Sequence, residues 1–202
     1  MTACLLSGKE IYYAAANAEN DKPSSVSLSP RLAELLQQAG LQWADLDAFA
    51  IGQGPGSFTG LRIGAATIAG LNSGLNRPIL PISSLAITAL QTGSSKAVYV
   101  FEDARAGEMF VGQYQAGKAL QADSLLSLDE VASLAAGLYA GQSEPPALLN
   151  GWQRLPLSIA RELALALAVR HAVAEVDDWQ QLPIYPQPVY MQPSQAERNA
   201  RV

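Results

Sequence analysis

The pattern of apolar and polar residues at the start of the 202-residue chain predicts a β-hairpin. Two apolar runs, at residues 3–7 and 10–16, flank the short turn sequence Ser-Gly-Lys. Runs rich in strand-forming residues on both sides of a tight glycine turn are typical of two antiparallel strands. The chain is therefore expected to open with a pair of strands.

A helix is predicted after this hairpin. Residues 17–29 are polar and indicate a loop. Ser29 and Pro30 then precede leucines at helical spacing, which is the pattern of an N-cap followed by a first-turn proline. Gly40 is expected to end the helix, because glycine readily adopts the backbone conformation that follows a last helical turn.

The rest of the first half alternates between strands and helices. The expected elements are a strand at 47–52, a helix at about 59–75, a strand at 78–82, a helix at 84–91 and a strand at 97–102. Short apolar runs that alternate with helical patterns predict an α/β fold.

A second strand-rich block begins at Lys96 and repeats this order. About three strands are expected there, with a turn at 104–107 between the first two. The later elements are expected to be helices at 128–136 and 158–172, a short strand at 147–151 and an extended tail after Pro183. We therefore expect a lobe boundary near residues 93–96, which divides the chain into 1–95 and 96–202.

Composition narrows the possible functions. The formal net charge is −5 and the pI is about 4.8, so the surface as a whole repels phosphate backbones. Any nucleic acid is therefore expected to be held by another protein. Because the chain has only one cysteine and one histidine, it cannot form an internal disulfide or a Cys/His zinc cluster. With no signal-peptide pattern and no apolar run of membrane-spanning length, a soluble, cytoplasmic protein is expected.

The glycine-rich segment at 52–64, GQGPGSFTGLRIG, does not match the known phosphate-binding or hydrolase loops. It has no lysine for a P-loop, its first three glycines are spaced i, i+2 and i+4 rather than i, i+2 and i+5, and its serine lacks the glycines of a nucleophile elbow. A weak anion site at the following helix stays possible, but a structural turn is favoured. This motif loop comprises Gly54, Pro55, Gly56, Ser57, Phe58 and Thr59.

The helix at 59–75 is apolar on nearly every side, which predicts burial on more than one face. Gly60 and Gly64, like Gly70 and Gly74, are four residues apart, a spacing that lets another backbone approach closely. The pattern alone favours a core helix within its own domain over an interface between chains.

Residues 54–64, GPGSFTGLRIG, closely resemble the signature of the TsaB (YeaZ) family. Four further segments resemble that family in the same order along the chain: SPRLAELLQQAGLQWADLDAFAIG, PISSLAITA, EDARAGEMFVG and QPVYMQP. The resemblance implies an actin-like (ASKHA, ribonuclease H-like) fold of two lobes. It also implies a non-catalytic scaffold that supports TsaD, the catalytic paralogue, together with the ATPase TsaE, in threonylcarbamoylation of adenosine in tRNA.

The same resemblance implies a paired-helix interface with TsaD or with a second copy of the chain. The helices concerned are those at about 30–39 and 59–75. A bulky residue at Gly64 or Ala65 is expected to abolish heterodimerisation while the fold stays intact. The residues expected to contact the partner are Leu32, Leu35, Leu36, Gly60, Leu61, Gly64, Ala65, Ile68 and Leu71.

The chain also departs from the family pattern. Family members usually open with an apolar strand ending in Asp-Thr, whereas this sequence starts directly with Met-Thr-Ala-Cys-Leu-Leu. The first strand of lobe one is therefore expected to be missing, which would expose an edge or a groove. The metal-binding histidine pair of the catalytic paralogue has no counterpart, and His171 is expected at the surface near a helix end.

Two other functional interpretations stay open at this point. One is an actin-like ATP-binding phosphotransferase or a glycoprotease-like hydrolase, but a phosphate-loop aspartate is not found, and residues 137–141 are a weak match to an adenosine segment. Asp103, Arg105 and Glu108 more simply form a polar turn with a local ion pair. No catalytic set, cofactor or metal is therefore predicted. The other interpretation is a stand-alone homodimer.

Overall fold

The computed structural model describes residues 2–14, 24–142 and 150–191 and confirms the predicted α/β class. The helices are α1 (Ser24–Ala39), α2 (Phe58–Asn72), α3 (Ser84–Gln91), α4 (Leu128–Ser133) and α5 (Arg161–Ala174). The strands are β1 (Ala3–Ser7), β2 (Glu10–Ala14), β3 (Phe49–Gly54), β4 (Ile79–Ser83), β5 (Ala97–Arg105), β6 (Glu108–Gln115), β7 (Lys118–Ser127), β8 (Leu138–Ala140) and β9 (Gln153–Arg154). Single 3-10 turns lie at Trp43–Asp45 and Trp179–Gln181.

The chain divides into two compact units, each built from three separate segments. Unit 1 comprises Met1–Gln53, Thr59–Ile82 and Ala160–Pro188. Unit 2 comprises Gly54–Phe58, Ser83–Ile159 and Val189–Val202. The lobes 1–95 and 96–202 stay a prediction.

The hairpin at the start of unit 1 forms as the sequence predicts. β1 and β2 are antiparallel, with Ser7 opposite Glu10 across a two-residue loop in which Gly8 has a φ of 58°. Residues of α1 pack against one face of the hairpin, through a cluster that includes Leu5 and Tyr12. Helix α5 also packs against both strands.

Helix α1 begins earlier than predicted. Residues 24–29 are helical rather than a loop, and Pro30 lies inside the helix. Leu28, Leu32 and Leu35 have the i, i+4, i+7 spacing of one helix face, and Leu28 is buried against Ala3. This packing extends the helix before Pro30, although a proline removes one backbone hydrogen bond. The predicted loop at 17–23 lies outside the described residues.

The end of α1 agrees with the prediction. Gly40 has a φ of 68°, a conformation that favours glycine. The backbone N–H of Leu41 donates to the carbonyl of Leu36 at 2.9 Å, as in a Schellman motif. The chain can therefore turn away from the helix without leaving that carbonyl unpaired.

A second small sheet in unit 1 is formed by β3 and β4. Phe49, Ile68 and Ile79 form its buried cluster, which joins β3, α2 and β4. The strand predicted at 47–52 begins two residues before the observed β3, and the helix predicted at 59–75 ends three residues after the observed α2.

Asn72 holds the end of α2 to two other segments of unit 1. Its buried side-chain amide donates to the carbonyls of Arg77 and Ile184, both at 2.8 Å, and its Oδ1 accepts the Arg77 N–H at 2.8 Å. The Ile79 N–H also donates to the Pro183 carbonyl at 2.8 Å. These hydrogen bonds hold the extended segment after residue 182 against the C-terminal end of α2.

Unit 2 contains a five-stranded sheet in the order β7-β6-β5-β8-β9. The three strands expected after Lys96 are confirmed as β5, β6 and β7. Strand β5 is antiparallel to β6 and parallel to β8. Its side chains at Val98, Val100 and Phe101 are at most 3% exposed, so β5 forms the centre of this core.

The last strands of unit 2 were not predicted. Residues 147–149 of the expected strand lie outside the described residues, and residues 150–151 form a turn. Strands β8 and β9 have three and two residues, which is too short for a periodic pattern to be read from the sequence.

Candidate partner-binding site

The motif loop connects β3 to α2 and changes from buried to exposed along its length. Gly54 has a φ of 115°, which a residue with a Cβ rarely adopts, and a cis peptide bond joins it to Pro55. Gly54 and Pro55 are buried, whereas Gly56 and Ser57 are exposed. The glycine at position 54 is thus required by the backbone, as expected for a structural turn.

Phe58 links the motif loop to the C-terminal segment of the same unit. Its ring lies against that of Tyr190, with the centroids 4.8 Å apart and the planes inclined by 44°. The neighbouring Met191 packs against the core cluster that contains Leu85 and Val100. Two residues 132 positions apart in the sequence therefore meet at the first residue of α2.

One face of α2 packs inward against β3 and β4 of the same unit. Ile68 is buried with Phe49 and Ile79, and Leu71 packs on the same cluster. A Cβ added at Gly64 would lie 3.6 Å from Cδ1 of Ile51, which is ordinary van der Waals contact. Gly64 thus faces its own strand β3, where a methyl group would also fit.

The opposite face of α2 is open and consists mainly of small residues. Thr59, Arg62, Ala66 and Gly70 are exposed at helical spacing, and we call them the α2 outer face. A Cβ added at Gly70 would have no atom within 4 Å. Helix α2 therefore has one face packed against its own unit and one face exposed to solvent.

Comparison with known families identifies the family to which the chain belongs. The family model for TsaD, described as tRNA N6-adenosine threonylcarbamoyltransferase, matches residues 18–156, which is more than half of the chain. The chain belongs to the TsaD family.

Within this family, the chain is similar to proteins named TsaB. It is 40% identical over 87 residues to the tRNA threonylcarbamoyladenosine biosynthesis protein TsaB of Haemophilus influenzae, covering 42% of this chain and 37% of that protein. It is 37% identical over 89 residues to the TsaB of Escherichia coli, covering 43% and 38%. The matched segments thus span less than two fifths of these curated relatives.

Solved structures extend the similarity over most of the chain. YeaZ from Pseudomonas aeruginosa superposes with a TM-score of 0.69 at 27% identity, covering 94% of this chain and 93% of that chain. A second structure, described as similar to the peptidase YeaZ of the same organism, gives 0.65 at 29% identity, covering 92% and 94%. These matches confirm the TsaB (YeaZ) resemblance and the actin-like fold class.

The structure of this TsaD-family chain separates the predicted contact residues of α2 into two groups. Ile68 is buried in the chain, and Gly64 faces Ile51. Gly60, Leu61, Ala65 and Leu71 are half-buried. The α2 outer face was not among the predicted contacts, although its small and polar residues at positions 59, 62, 66 and 70 could have indicated it.

The predicted contacts on α1 lie mostly in the core. Leu35 and Leu36 are buried, and Leu35 packs against Ala3 and Leu28. Leu32 is half-buried and packs against both clusters of unit 1. The exposed face of α1 instead presents polar residues such as Glu34 and Gln37. A direct role of these leucines in partner binding stays a prediction.

A polar network in unit 2 was not predicted from the sequence. The Tyr114 hydroxyl lies 2.9 Å from Ser83 Oγ and donates to Oδ1 of Asp123, and Ser83 Oγ donates to Oδ2 at 2.5 Å. Burial, and then the hydrogen bond to Asp123, raise the pKa of Tyr114. Ser83 Oγ also accepts the N–H groups of Leu85 and Ala86. The network therefore fixes the start of α3 on the sheet.

The structure also places the other residues that the sequence analysis considered for chemistry, His171 and the polar turn at Asp103 and Arg105. His171 is exposed in the last turn of α5. The Arg105 N–H donates to Oδ1 of Asp103 at 2.7 Å, within the predicted polar turn.

Among the described ranges, no three His, Cys, Asp or Glu side chains are grouped as metal ligands. None of the helices in these ranges is both long and apolar enough to cross a membrane.

Proposed function

We propose that this chain is a non-catalytic subunit in the biosynthesis of threonylcarbamoyladenosine in tRNA. It binds a TsaD-like catalytic subunit and acts together with a TsaE-like ATPase. The observation that carries the proposal is the α2 outer face, which follows directly from the motif loop that resembles the TsaB signature. The names of the curated relatives support the pathway.

The composition of the α2 outer face suits helix packing. Ala66 and Gly70 have side chains small enough to let a partner helix approach closely, and they lie one turn apart. Leu61 and Ala65 are half-buried beside them, so apolar area remains for a partner to cover. We therefore place the contact on Gly60, Leu61, Ala65, Ala66 and Gly70.

The buried predicted residues have a supporting role in this proposal. Leu35, Leu36 and Ile68 lie in the chain's own core, and Gly64 faces Ile51 of β3. They fix the positions of the two helices from the inner side. Leu32 on α1 is only half-buried, so part of its side chain stays accessible to a partner.

In this proposal the chain itself catalyses no step of the reaction. The net charge of −5 disfavours direct tRNA binding, so the tRNA is held by the partner. We propose a cytoplasmic location for this assembly, because its substrate is tRNA.

Reconstitution tests the proposed role. The chain, a TsaD-like protein and a TsaE-like protein from one organism are incubated with tRNA and a threonylcarbamoyl donor. Mass spectrometry of the digested tRNA is expected to show the modified adenosine only when this chain is present. Modification by this chain alone, or equal modification without it, would contradict the proposal.

Sedimentation of the chain alone distinguishes the homodimer. A heterodimer subunit is expected to stay monomeric at concentrations where it binds the TsaD-like protein. A stable dimer that excludes this partner would instead support the stand-alone homodimer.

A further inference from the structure

Ile184 and Tyr185 are two adjacent apolar side chains at the surface of unit 1. Tyr185 is 63% exposed, more than any other large apolar side chain among the described residues, and Ile184 is 40% exposed. Trp179, a short distance earlier in the chain, is 37% exposed. Single exposed apolar residues are common on soluble proteins, but these residues form a group. Such a group is typical of a surface that another molecule covers.

The backbone of this pair is held in place from the inner side. The carbonyl of Pro183 accepts the Ile79 N–H, and the carbonyl of Ile184 accepts from the side-chain amide of Asn72, both at 2.8 Å. Asn72 is only 2% exposed, and its amide also bonds to the backbone of Arg77 as donor and as acceptor. The backbone is thus fixed to α2 and β4, while the two side chains stay exposed.

Two prolines restrict the same backbone further. Pro183 and Pro186 enclose the pair, and the ring of a proline fixes its own φ. The residue before a proline is restricted as well, which applies to Tyr185. A contact residue that is already ordered loses little conformational entropy when a partner binds. The pair is therefore pre-organised for binding.

The pair lies at the C-terminal end of one side of α2. Leu61, Ala65 and Asn72 share this side, because Leu61 and Asn72 are about three helical turns apart. Leu61 and Ala65 belong to the contact proposed above, and Asn72 bonds to the backbone of Ile184. At about 1.5 Å per residue, Leu61 and Asn72 are separated by about 16 Å along the helix axis. A partner helix packed along α2 would reach the pair within that length.

The chemistry of the segment indicates what it contacts. Residues 182–191, LPIYPQPVYM, contain no charged side chain, and Arg62 is the only charged residue of α2. A charged group buried against such a surface would lose its hydration without gaining a partner, so the partner surface is expected to be apolar. The ring of a tyrosine fills an apolar pocket while its hydroxyl bonds to a polar group at the rim.

We infer that Ile184 and Tyr185 form a second contact with the TsaD-like subunit, beside the α2 outer face, and that the ring of Tyr185 fills an apolar pocket of that subunit. The inference rests on the proposed function, because it assigns this surface to the same partner. The TsaD-like subunit suits the surface better than an unrelated protein, since one partner packed along α2 reaches both contacts.

The affinity of the full-length chain for a TsaD-like protein, measured by calorimetry, tests this contact. Tyr185→Ala is expected to weaken binding about tenfold or more, because the ring that fills the pocket is lost. Tyr185→Phe keeps the ring and is expected to bind within about threefold of the wild type. The matched control is Tyr13→Ala, which removes a 53% exposed tyrosine of β2 and is expected to stay within about twofold. Urea unfolding checks that each variant is folded.

Hydroxyl-radical footprinting of the wild-type chain tests the contact without any substitution. Oxidation of each tyrosine is measured by mass spectrometry with and without a saturating concentration of the TsaD-like protein. Oxidation of Tyr185 is expected to fall about fivefold or more, because the centre of an interface excludes water. Oxidation of Tyr13 is expected to stay unchanged.

Four results would overturn the inference. Wild-type affinity of Tyr185→Ala, together with a loss of binding by Ala66→Arg on the α2 outer face, would contradict this contact and leave the proposed function standing. Unchanged oxidation of Tyr185 in a complex that forms normally would do the same. Oxidation of Tyr185 that falls as the concentration of the chain alone rises would assign the surface to a second copy. Failure of the wild-type chain to bind the TsaD-like protein would contradict both the inference and the proposed function.

Discussion

The ring of Phe58 packs on the ring of Tyr190, with their centroids 4.8 Å apart, and so joins the motif loop to the C-terminal segment of unit 2. The motif and the segment QPVYMQP were identified separately in the sequence as two matches to one family. Their contact gives a physical reason why both occur in the same chain, since each supplies one ring of a single pair.

Tyr190→Ala is expected to weaken this pair without unfolding the chain. Aromatic pairs contribute about 0.5–1.5 kcal/mol beyond area burial, and the lower part of that range applies because Tyr190 is 44% exposed. A double-mutant cycle with Phe58→Leu in urea unfolding measures the coupling. Tyr190→Phe keeps the ring and is expected to match the wild type; additive single effects would contradict the contact.

Gly112→Ala is expected to destabilise the chain by about 1–3 kcal/mol, because the site has no space for a methyl group. An added Cβ would lie 2.5 Å from Asp123 Oδ1 and 2.5 Å from Tyr114 Cε2, so the polar network would have to shift. Urea unfolding measures the change.

Gly137→Ala is the matched control for this substitution. Its Cβ would come no closer than 3.9 Å to Trp152, so its stability is expected to stay within about 0.5 kcal/mol of the wild type. Equal effects of the two substitutions would contradict the described packing around Gly112.

Cys4 is expected to make stability depend on pH in the alkaline range. Burial, and then the charge of Glu162, raise the pKa of its thiol from 9.0 to about 11. Because the folded pKa is raised, the contribution is fully present below pH 9 and is lost as the pH rises from 9 to 11. The loss attributable to Cys4 between pH 8 and 10 is about 1 kcal/mol.

Urea unfolding of the wild type and Cys4→Ala at both pH values isolates this contribution. Other groups with raised pKa values, including Tyr114, affect both proteins alike. The difference between the two proteins should therefore change with pH. A constant difference would show that the thiol of Cys4 titrates normally in the folded chain.

The sequence predicted most elements because their signals are local. Gly8 and Gly40 mark turns that need glycine conformations, and both turns form where expected. Pro30 misled the prediction of α1, since a local helix-start pattern was outweighed by the long-range contact of Leu28 with Ala3. Local pattern could not show that contact, because the two residues lie on different elements.

The candidate site was only partly predictable for a similar reason. The motif correctly indicated the start of α2, but an apolar helix does not reveal from its sequence which face its own sheet covers. The position of Gly64 opposite Ile51 and the open space around Gly70 show this in the structure. The network of Ser83, Tyr114 and Asp123 joins three elements and has no sequence spacing by which it could be recognised.

The most direct test of the proposed function is the affinity of the full-length chain for a TsaD-like protein, measured by calorimetry with Ala66→Arg and with Ala132→Arg. Ala66 lies on the α2 outer face, whereas Ala132 is exposed on α4 in unit 2. Ala66→Arg is expected to weaken binding about thirtyfold or more, because a long charged side chain replaces a methyl group at a close helix contact. Ala132→Arg should bind like the wild type, and binding by Ala66→Arg within about twofold of the wild type would contradict the account.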